Sequence, residues 1–183
     1  YASNDGYARH LGTSLYSLLD KNRDFAEIAV YVLTLGLSEE NQERLREIAE
    51  YFGRSLFFFN LDDLRERIGY EVDTGGFDIS IMLRLFMGDM LPETVERVLY
   101  LDCDTVVLQS LKHLWKENLE GSIVGAVMEP TIYETVKESI DLGEEDPYYN
   151  SGVLLVDLKQ WREQEIQKKL LEFWKSRGGK LFA

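Results

Sequence analysis

Apolar residues along this chain change period repeatedly, from the 3.6-residue spacing of an amphipathic helix to the short runs of a buried strand. Tyr1-Ala2-Ser3 reads as the end of a strand, and Ala8 to Asn22 then carries Leu11, Leu15, Leu18 and Leu19 at helical spacing. Ile28 to Leu35 predicts a buried strand. Ser38 with Glu39 and Glu40 behind it is a helix-start signature, and the helix runs to about Phe52 with Leu45, Ile48 and Ala49 on its inner face. Leu56 to Phe59 is the next strand, with Phe57, Phe58 and Phe59 read as core. A helical segment near Ile79 to Leu91 stops at Pro92 and leads into a strand at Val98 to Leu101. Ser122 to Met128 and Gly152 to Val156 are further strands, the second followed by a long helix from about Leu158 to Ser176.

This alternation predicts an α/β layer fold with a nucleotide-binding sheet. At 183 residues the chain makes one domain, able to bury roughly 70% of its unfolded surface. There is no internal repeat, no low-complexity tract and no visible linker. The irregular stretch from Asp141 to Tyr149 is long enough to form a loop over a site.

Composition narrows the partners. A formal charge of -13 argues against nucleic acid bound through a broad basic surface, and an anionic ligand would need a metal ion or arginine. The single cysteine, Cys103, permits no internal disulfide, which fits a cytoplasmic protein. No stretch approaches 18 consecutive apolar residues. The first residues look like the end of a strand whose start is missing, and the chain stops just after a helix; the expectation is a piece of a longer protein.

Four clusters carry candidate chemistry. In Val98-Leu99-Tyr100-Leu101-Asp102-Cys103-Asp104, two carboxylates interrupt an apolar run that resumes at Val106. The pair is read as part of the strand's end, so Asp102 and Asp104 point the same way, about 7 Å apart, with Cys103 opposite. Two like charges about 4 Å apart at a dielectric near 20 repel by roughly 4 kcal/mol, and a divalent cation turns that repulsion into attraction. The plainer alternative is a solvated turn after a strand. In the second cluster, Tyr149-Asn150-Ser151-Gly152, Asn150 and Ser151 offer hydrogen bonds and Gly152 allows close approach, although a turn would use the same residues. The third, Ala2-Ser3-Asn4-Asp5-Gly6-Tyr7, is a strand end entering a turn, where open α/β sheets bind ligands, or else a surface turn. The fourth is Arg84 on an apolar helical stretch, which wants an anion: a ligand, or one of the 33 acidic residues. His10 and His113 read as ordinary helix or surface residues.

In this order and spacing the clusters resemble glycosyltransferase family 8, whose members are retaining enzymes of the GT-A fold, and the resemblance spans essentially the whole chain. It is carried chiefly by Val98 to Asp104 with Leu111-Lys112-His113-Leu114-Trp115 behind it, and by Tyr149 to Leu155 with Leu158-Lys159-Gln160-Trp161 behind it. The resemblance implies a Rossmann-like GT-A fold, a mainly parallel sheet flanked by helices, in one catalytic domain over residues 1–183. It implies that Asp102 and Asp104 hold Mn2+, with Mg2+ as a substitute, on the diphosphate of a UDP-sugar, with Cys103 between them on the donor. Ala2, Asn4, Gly6 and Tyr7 resemble the uridine pocket, with Asn4 where members often have Asp. Arg84 resembles the arginine near the donor sugar, Asn150 and Ser151 the residues lining the sugar pocket, and Glu129 the acidic residue that shapes the sugar and acceptor site.

The implied reaction moves a hexosyl group from UDP-glucose or UDP-galactose to a hydroxyl of a saccharide or glycolipid acceptor, with retention. Two family elements are expected beyond Ala183: an Asp-Gln pair near the anomeric carbon and a later His that completes the metal shell. Without them this stretch should be catalytically poor. A C-terminal tail of the kind that attaches members to the inner face of a membrane would also lie there. Two other readings stay open on the residues alone: a catalytically silent UDP-sugar-binding domain, and a haloacid-dehalogenase-like phosphatase using Asp102 as nucleophile and Asp104 as acid/base.

Overall fold

The structure, a computed structural model, describes residues 1–180. Leu181, Phe182 and Ala183, and the Asp-Gln pair expected after them, lie outside the described residues. In chain order the elements begin with β1 (Ala2–Asn4), a 3-10 turn (Asp5–Tyr7), α1 (Ala8–Lys21), β2 (Ala29–Leu35), α2 (Glu39–Tyr51), β3 (Ser55–Asn60) and α3 (Leu64–Ile68). A 3-10 helix (Ile79–Phe86) runs into α4 (Met87–Met90), followed by β4 (Arg97–Leu101), α5 (Lys112–Lys116), β5 (Val124–Met128) and α6 (Glu134–Ser139). The last are β6 (Tyr149–Asp157), α7 (Leu158–Glu163) and α8 (Ile166–Ser176).

The elements of the first half form as the periodicity predicts, but Phe57, read as core, is 45% exposed on β3, while Phe58 and Phe59 are partly buried. β1, β2 and β3 form a parallel sheet in that order, with Ala2 opposite Leu33 and Ala29 opposite Ser55. Leu11, Leu15 and Leu19 of α1 are wholly buried against Val32 of β2 and Leu45 of α2. Each such leucine contributes about 1.5–3 kcal/mol. Ser38 caps α2 through its hydroxyl, which accepts from the Asn41 N–H at 3.3 Å.

The second sheet has the order β4-β6-β5, and both of its pairings are antiparallel. The expected mainly parallel sheet is seen in the first three strands, and this second group is antiparallel. The reason is local: the chain leaves β5 at Glu129 and returns at Tyr148, whose carbonyl accepts the Glu129 N–H at 2.8 Å, so β6 runs back along β5. The long C-terminal helix is two helices. Glu165 sits between them at φ 52, a left-handed conformation that breaks the helical ladder.

One arginine ties the halves together. Arg162 of α7 donates to the carbonyls of Gly88 at 2.8 Å, Leu91 at 3.0 Å and Val95 at 2.8 Å, satisfying the end of α4 and the turn into β4. Gly88 is required there because a Cβ would lie 2.8 Å from Trp161 Cδ1.

Candidate active site

The carboxyl end of β4 lies beside the short strand β1, the Cys103 thiol donating to the Ala2 carbonyl at 3.0 Å. β4 ends at Leu101, and the chain then turns: the carbonyl of Asp102 accepts from the Thr105 N–H at 3.2 Å and from the Thr105 hydroxyl at 2.7 Å. The acidic pair therefore lies on a tight turn, which corrects the expectation of a continuing strand. Asp102 still faces the side opposite Cys103, whose thiol is buried among the apolar residues of α1 and β2. Burial pushes that thiol's pKa up, so it stays protonated, and only its backbone is available to a ligand. Asp104 is exposed and makes no ion pair among the described residues.

Asp102 is the hub. Its carboxylate lies 3.0 Å from Arg84 and accepts a 2.6 Å bond from the Tyr100 hydroxyl. Tyr100 and Asp102 are two residues apart, so the strand places both on one face. Arg84 comes from the 3-10 helix, where its Nε donates to the Ile81 carbonyl at 3.1 Å and its guanidinium lies 4.8 Å from the Tyr100 ring centre. The same guanidinium donates to the Ser151 carbonyl at 2.8 Å and hydroxyl at 3.2 Å. Burial pushes the Tyr100 phenol up, so it remains a donor.

β6 enters the site beside this hub. Gly152 accepts the Asp102 N–H at 2.8 Å, and its own N–H goes to Asn150 Oδ1 at 2.8 Å. A Cβ on Gly152 would lie 2.9 Å from Asp102 Oδ2 and 3.1 Å from Asn150 Oδ1, so only glycine lets the strands close. Beyond Asn150 a cleft of about 410 Å³ opens, lined by Glu129, Tyr133, Tyr149, Asn150 and Ser151. Glu129 accepts from the Thr131 hydroxyl at 2.6 Å, and that bond holds its carboxyl below its ordinary value.

The residues expected to form a uridine pocket, Ala2, Asn4, Gly6 and Tyr7, lie in and just after β1. Asn4 caps the 3-10 turn, its Oδ1 accepting the Tyr7 N–H at 3.1 Å, and its Nδ2 donates to the Ser80 hydroxyl at 3.3 Å. Ala2 contributes the carbonyl held by Cys103, and Gly6 packs under Asn4. The Tyr7 ring is half exposed and tilts against His10. Asp78 supports this corner by accepting the Ser80 N–H at 2.9 Å, and hydrogen bonding from the Ser80 side chain, with the backbone bond behind it, lowers its pKa.

The fold thus brings Arg84, Asp102 and Ser151 into direct contact, joins Asn150 to Asp102 through Gly152, and places Glu129 in the adjoining cleft. Sequence reasoning missed Tyr100 as a partner of Asp102, although their two-residue spacing was a usable signal. It also missed Asp78 and Ser80, whose D-x-S ahead of an apolar helical run is a cap signature.

Residues 1–182 match the family model described as Glycosyl transferase family 8. The chain belongs to that family. Its membership sets aside the phosphatase reading of Asp102 and Asp104. General stress protein A of Bacillus subtilis is 30% identical over 93% of this family 8 chain and 59% of its own length. The lipopolysaccharide 1,3-galactosyltransferase of Salmonella typhimurium is 28% identical over 90% of the chain and 49% of its own length. Among solved structures, the galactosyltransferase LgtC in complex with donor and acceptor sugar analogs superposes with a TM-score of 0.85 at 28% identity, covering 100% of this chain and 65% of that one. The family 8 chain therefore spans about half to two thirds of the length of these relatives.

Proposed function

We propose that this chain forms the donor-binding part of a glycosyltransferase that moves a hexosyl group, with retention, from a UDP-sugar to a hydroxyl of a saccharide or lipopolysaccharide acceptor. UDP-glucose and UDP-galactose are the candidate donors. The observation that carries this reading is the Arg84–Asp102 pair, 3.0 Å apart under Gly152, beside an exposed Asp104 just after the carboxyl end of β4. Family membership and the likeness to LgtC with its donor and acceptor analogs support it.

Asp102 and Asp104 would hold Mn2+ or Mg2+. The donor set fits such an ion in part: both are hard oxygen ligands, and the described residues bring no third His, Cys, Asp or Glu to them. Any remaining positions would be left to diphosphate oxygens and water. A divalent ion there would neutralise charge on the departing diphosphate.

The chain's own groups do the rest. Arg84 orients the Asp102 carboxylate through the 3.0 Å ion pair while presenting positive charge beside the donor. Asn150 and Ser151, set by Gly152, offer hydrogen bonds to the sugar hydroxyls. Glu129, held ionised by Thr131, accepts hydrogen bonds from hydroxyl groups in the adjoining cleft. Tyr7 offers an aromatic face to the base at the end of β1.

Calorimetry with UDP, with and without Mn2+, tests the reading; binding strengthened at least tenfold by the metal is expected. No binding of UDP under either condition overturns it. Transfer assays with UDP-glucose and UDP-galactose on the longest available form of the protein separate an enzyme from a silent domain, since binding without turnover there favours the latter.

A further inference from the structure

Helix α1 and the residue that ends it turn three polar side chains, Ser14, Ser17 and Asn22, toward the chain that follows the acidic turn. Ser14 and Asn22 are wholly buried, where a polar group stays only with a partner. Each of the three has one about ninety residues away in sequence. The Ser14 hydroxyl lies 3.0 Å from the Thr105 hydroxyl, Ser17 Oγ accepts the Val107 N–H at 2.9 Å, and Asn22 Oδ1 accepts the Leu111 N–H at 2.7 Å. Residues 105–111 form no strand or helix of their own, so these bonds from α1 hold their path.

Counting protons gives the hydroxyl row a direction. A hydroxyl has one proton to donate, and Thr105 spends its own on the Asp102 carbonyl at 2.7 Å. Its oxygen therefore accepts from Ser14. With that proton spent, Ser14 accepts from the Tyr1 hydroxyl at 3.0 Å. The row thus runs from Tyr1 through Ser14 and Thr105 to the backbone of Asp102, and each member has a single role in it.

The turn at the end of this row carries both carboxylates. Asp102 is held on every side: its N–H by Gly152, its carboxylate by Arg84 and Tyr100, and its carbonyl by Thr105. Asp104 is held differently. Among the described residues it makes no hydrogen bond or ion pair of its own, so its place is set by its two neighbours in the chain. Cys103 is anchored to the Ala2 carbonyl, and Thr105 is anchored by Ser14.

We infer that Ser14 and Thr105 are positioning residues for the acidic pair, their hydroxyls tying α1 to the turn so that Asp104 stays beside Asp102 for a divalent cation. The inference rests on the proposed cation site and adds two groups that touch neither the cation nor the donor. Like charges on the pair repel, and a turn closed on one carbonyl would open to separate them. The row holds that turn closed before a cation arrives, so binding does not have to supply the ordering.

Mn2+ titrations read by the EPR signal of the free ion, at fixed UDP and against UDP alone, test the inference beside calorimetry of UDP without metal. Thr105→Val keeps the shape of threonine and removes its hydroxyl. It should weaken Mn2+ binding at least fivefold and leave metal-free UDP binding within twofold. Thr105→Ser, which keeps the hydroxyl, should stay within twofold of the parent on both. Ser14→Ala should weaken Mn2+ binding at least twofold and add nothing in the Thr105→Val background, where the row is already cut. Alanine suits the helix, so this variant keeps the test readable should Thr105→Val fail to fold. Arg162→Ala loosens the fold away from the site and should leave Mn2+ binding within twofold, which separates positioning from a general loss of stability. Unchanged Mn2+ affinity in Thr105→Val and Ser14→Ala, no rescue by serine, equal losses with and without metal, or additive losses in the double variant would each overturn the inference and leave the cation site standing. A parent protein that takes up no Mn2+ beyond UDP alone overturns the cation site and this inference together.

Discussion

Arg84 reaches across the site to lie 3.0 Å from the Asp102 carboxylate while donating to the Ser151 carbonyl, so one side chain joins the end of β4 to the start of β6. The pair is less than one third exposed on both sides, which raises its weight above that of a surface ion pair. Arg84→Ala should cost about 1–3 kcal/mol, since it leaves the carboxylate and a carbonyl without their donor. Arg84→Lys should recover part of this, because an ammonium keeps the charge and loses the fork. Urea denaturation of the three proteins checks the order.

Asp102 and Asp104 should separate in their effects. Asp104→Asn, at an exposed turn position, is expected to leave stability within about 0.5 kcal/mol and to weaken Mn2+-dependent UDP binding at least tenfold. Asp102→Asn should lower both, because Arg84 and Tyr100 lose a charged acceptor. Calorimetry run beside thermal unfolding distinguishes the two variants, and excess EDTA should bring the parent protein's UDP affinity down to that of Asp104→Asn.

Gly152→Ala places a methyl 2.9 Å from Asp102 Oδ2, closer than real contacts allow. The strand or the carboxylate must move, at a cost of about 1–3 kcal/mol. The expected result is loss of UDP binding out of proportion to the loss of stability. Wild-type affinity in a folded Gly152→Ala protein would contradict the geometry drawn around Asp102.

The Glu129 carboxyl titrates below its ordinary value of 4.5 because Thr131 bonds to its charged form. For a depressed carboxyl the stabilising contribution is present above the unfolded value and is lost as pH falls through the lower folded value. The contribution of this bond should thus be intact at neutral pH and disappear below pH 4.5. A carbon-detected NMR titration of Glu129 reads the shift directly, and Thr131→Val should move the midpoint back up.

Arg162→Ala removes a donor shared by the carbonyls of Gly88, Leu91 and Val95. The expected loss is about 2–3 kcal/mol, carried by the segment between α4 and β4. Hydrogen exchange should show that segment opening before the parallel sheet does.

The parallel sheet and its two helices were legible because their apolar residues keep a strict period: Leu11, Leu15 and Leu19 need one helix face, and Ser38 marks a helix start. The four site clusters were legible for another reason, since charges and small polar residues interrupted apolar runs. What was not legible depends on single local bonds or on distant partners. Thr105 turns the chain at Asp102 through bonds to one carbonyl, and a strand pattern carries no sign of that. The direction of β6 follows from where a loop of some twenty residues returns, as marked by the Glu129–Tyr148 bond. Helices α3, α5 and α6 span only five or six residues, too few to establish a period. Glu165, at φ 52, splits a helix whose apolar spacing runs on through the break.

The backbone bond from Asp102 to Gly152, with Gly152 bonded in turn to Asn150, has a practical bearing on engineering. Positions fifty residues apart in sequence share one hydrogen-bonded chain, so substitutions at 102 and 150 should not combine additively. A library aimed at a new donor would do better to vary 84, 102, 150 and 151 jointly, with 152 fixed as glycine. Screening them one at a time would discard pairs that work only together.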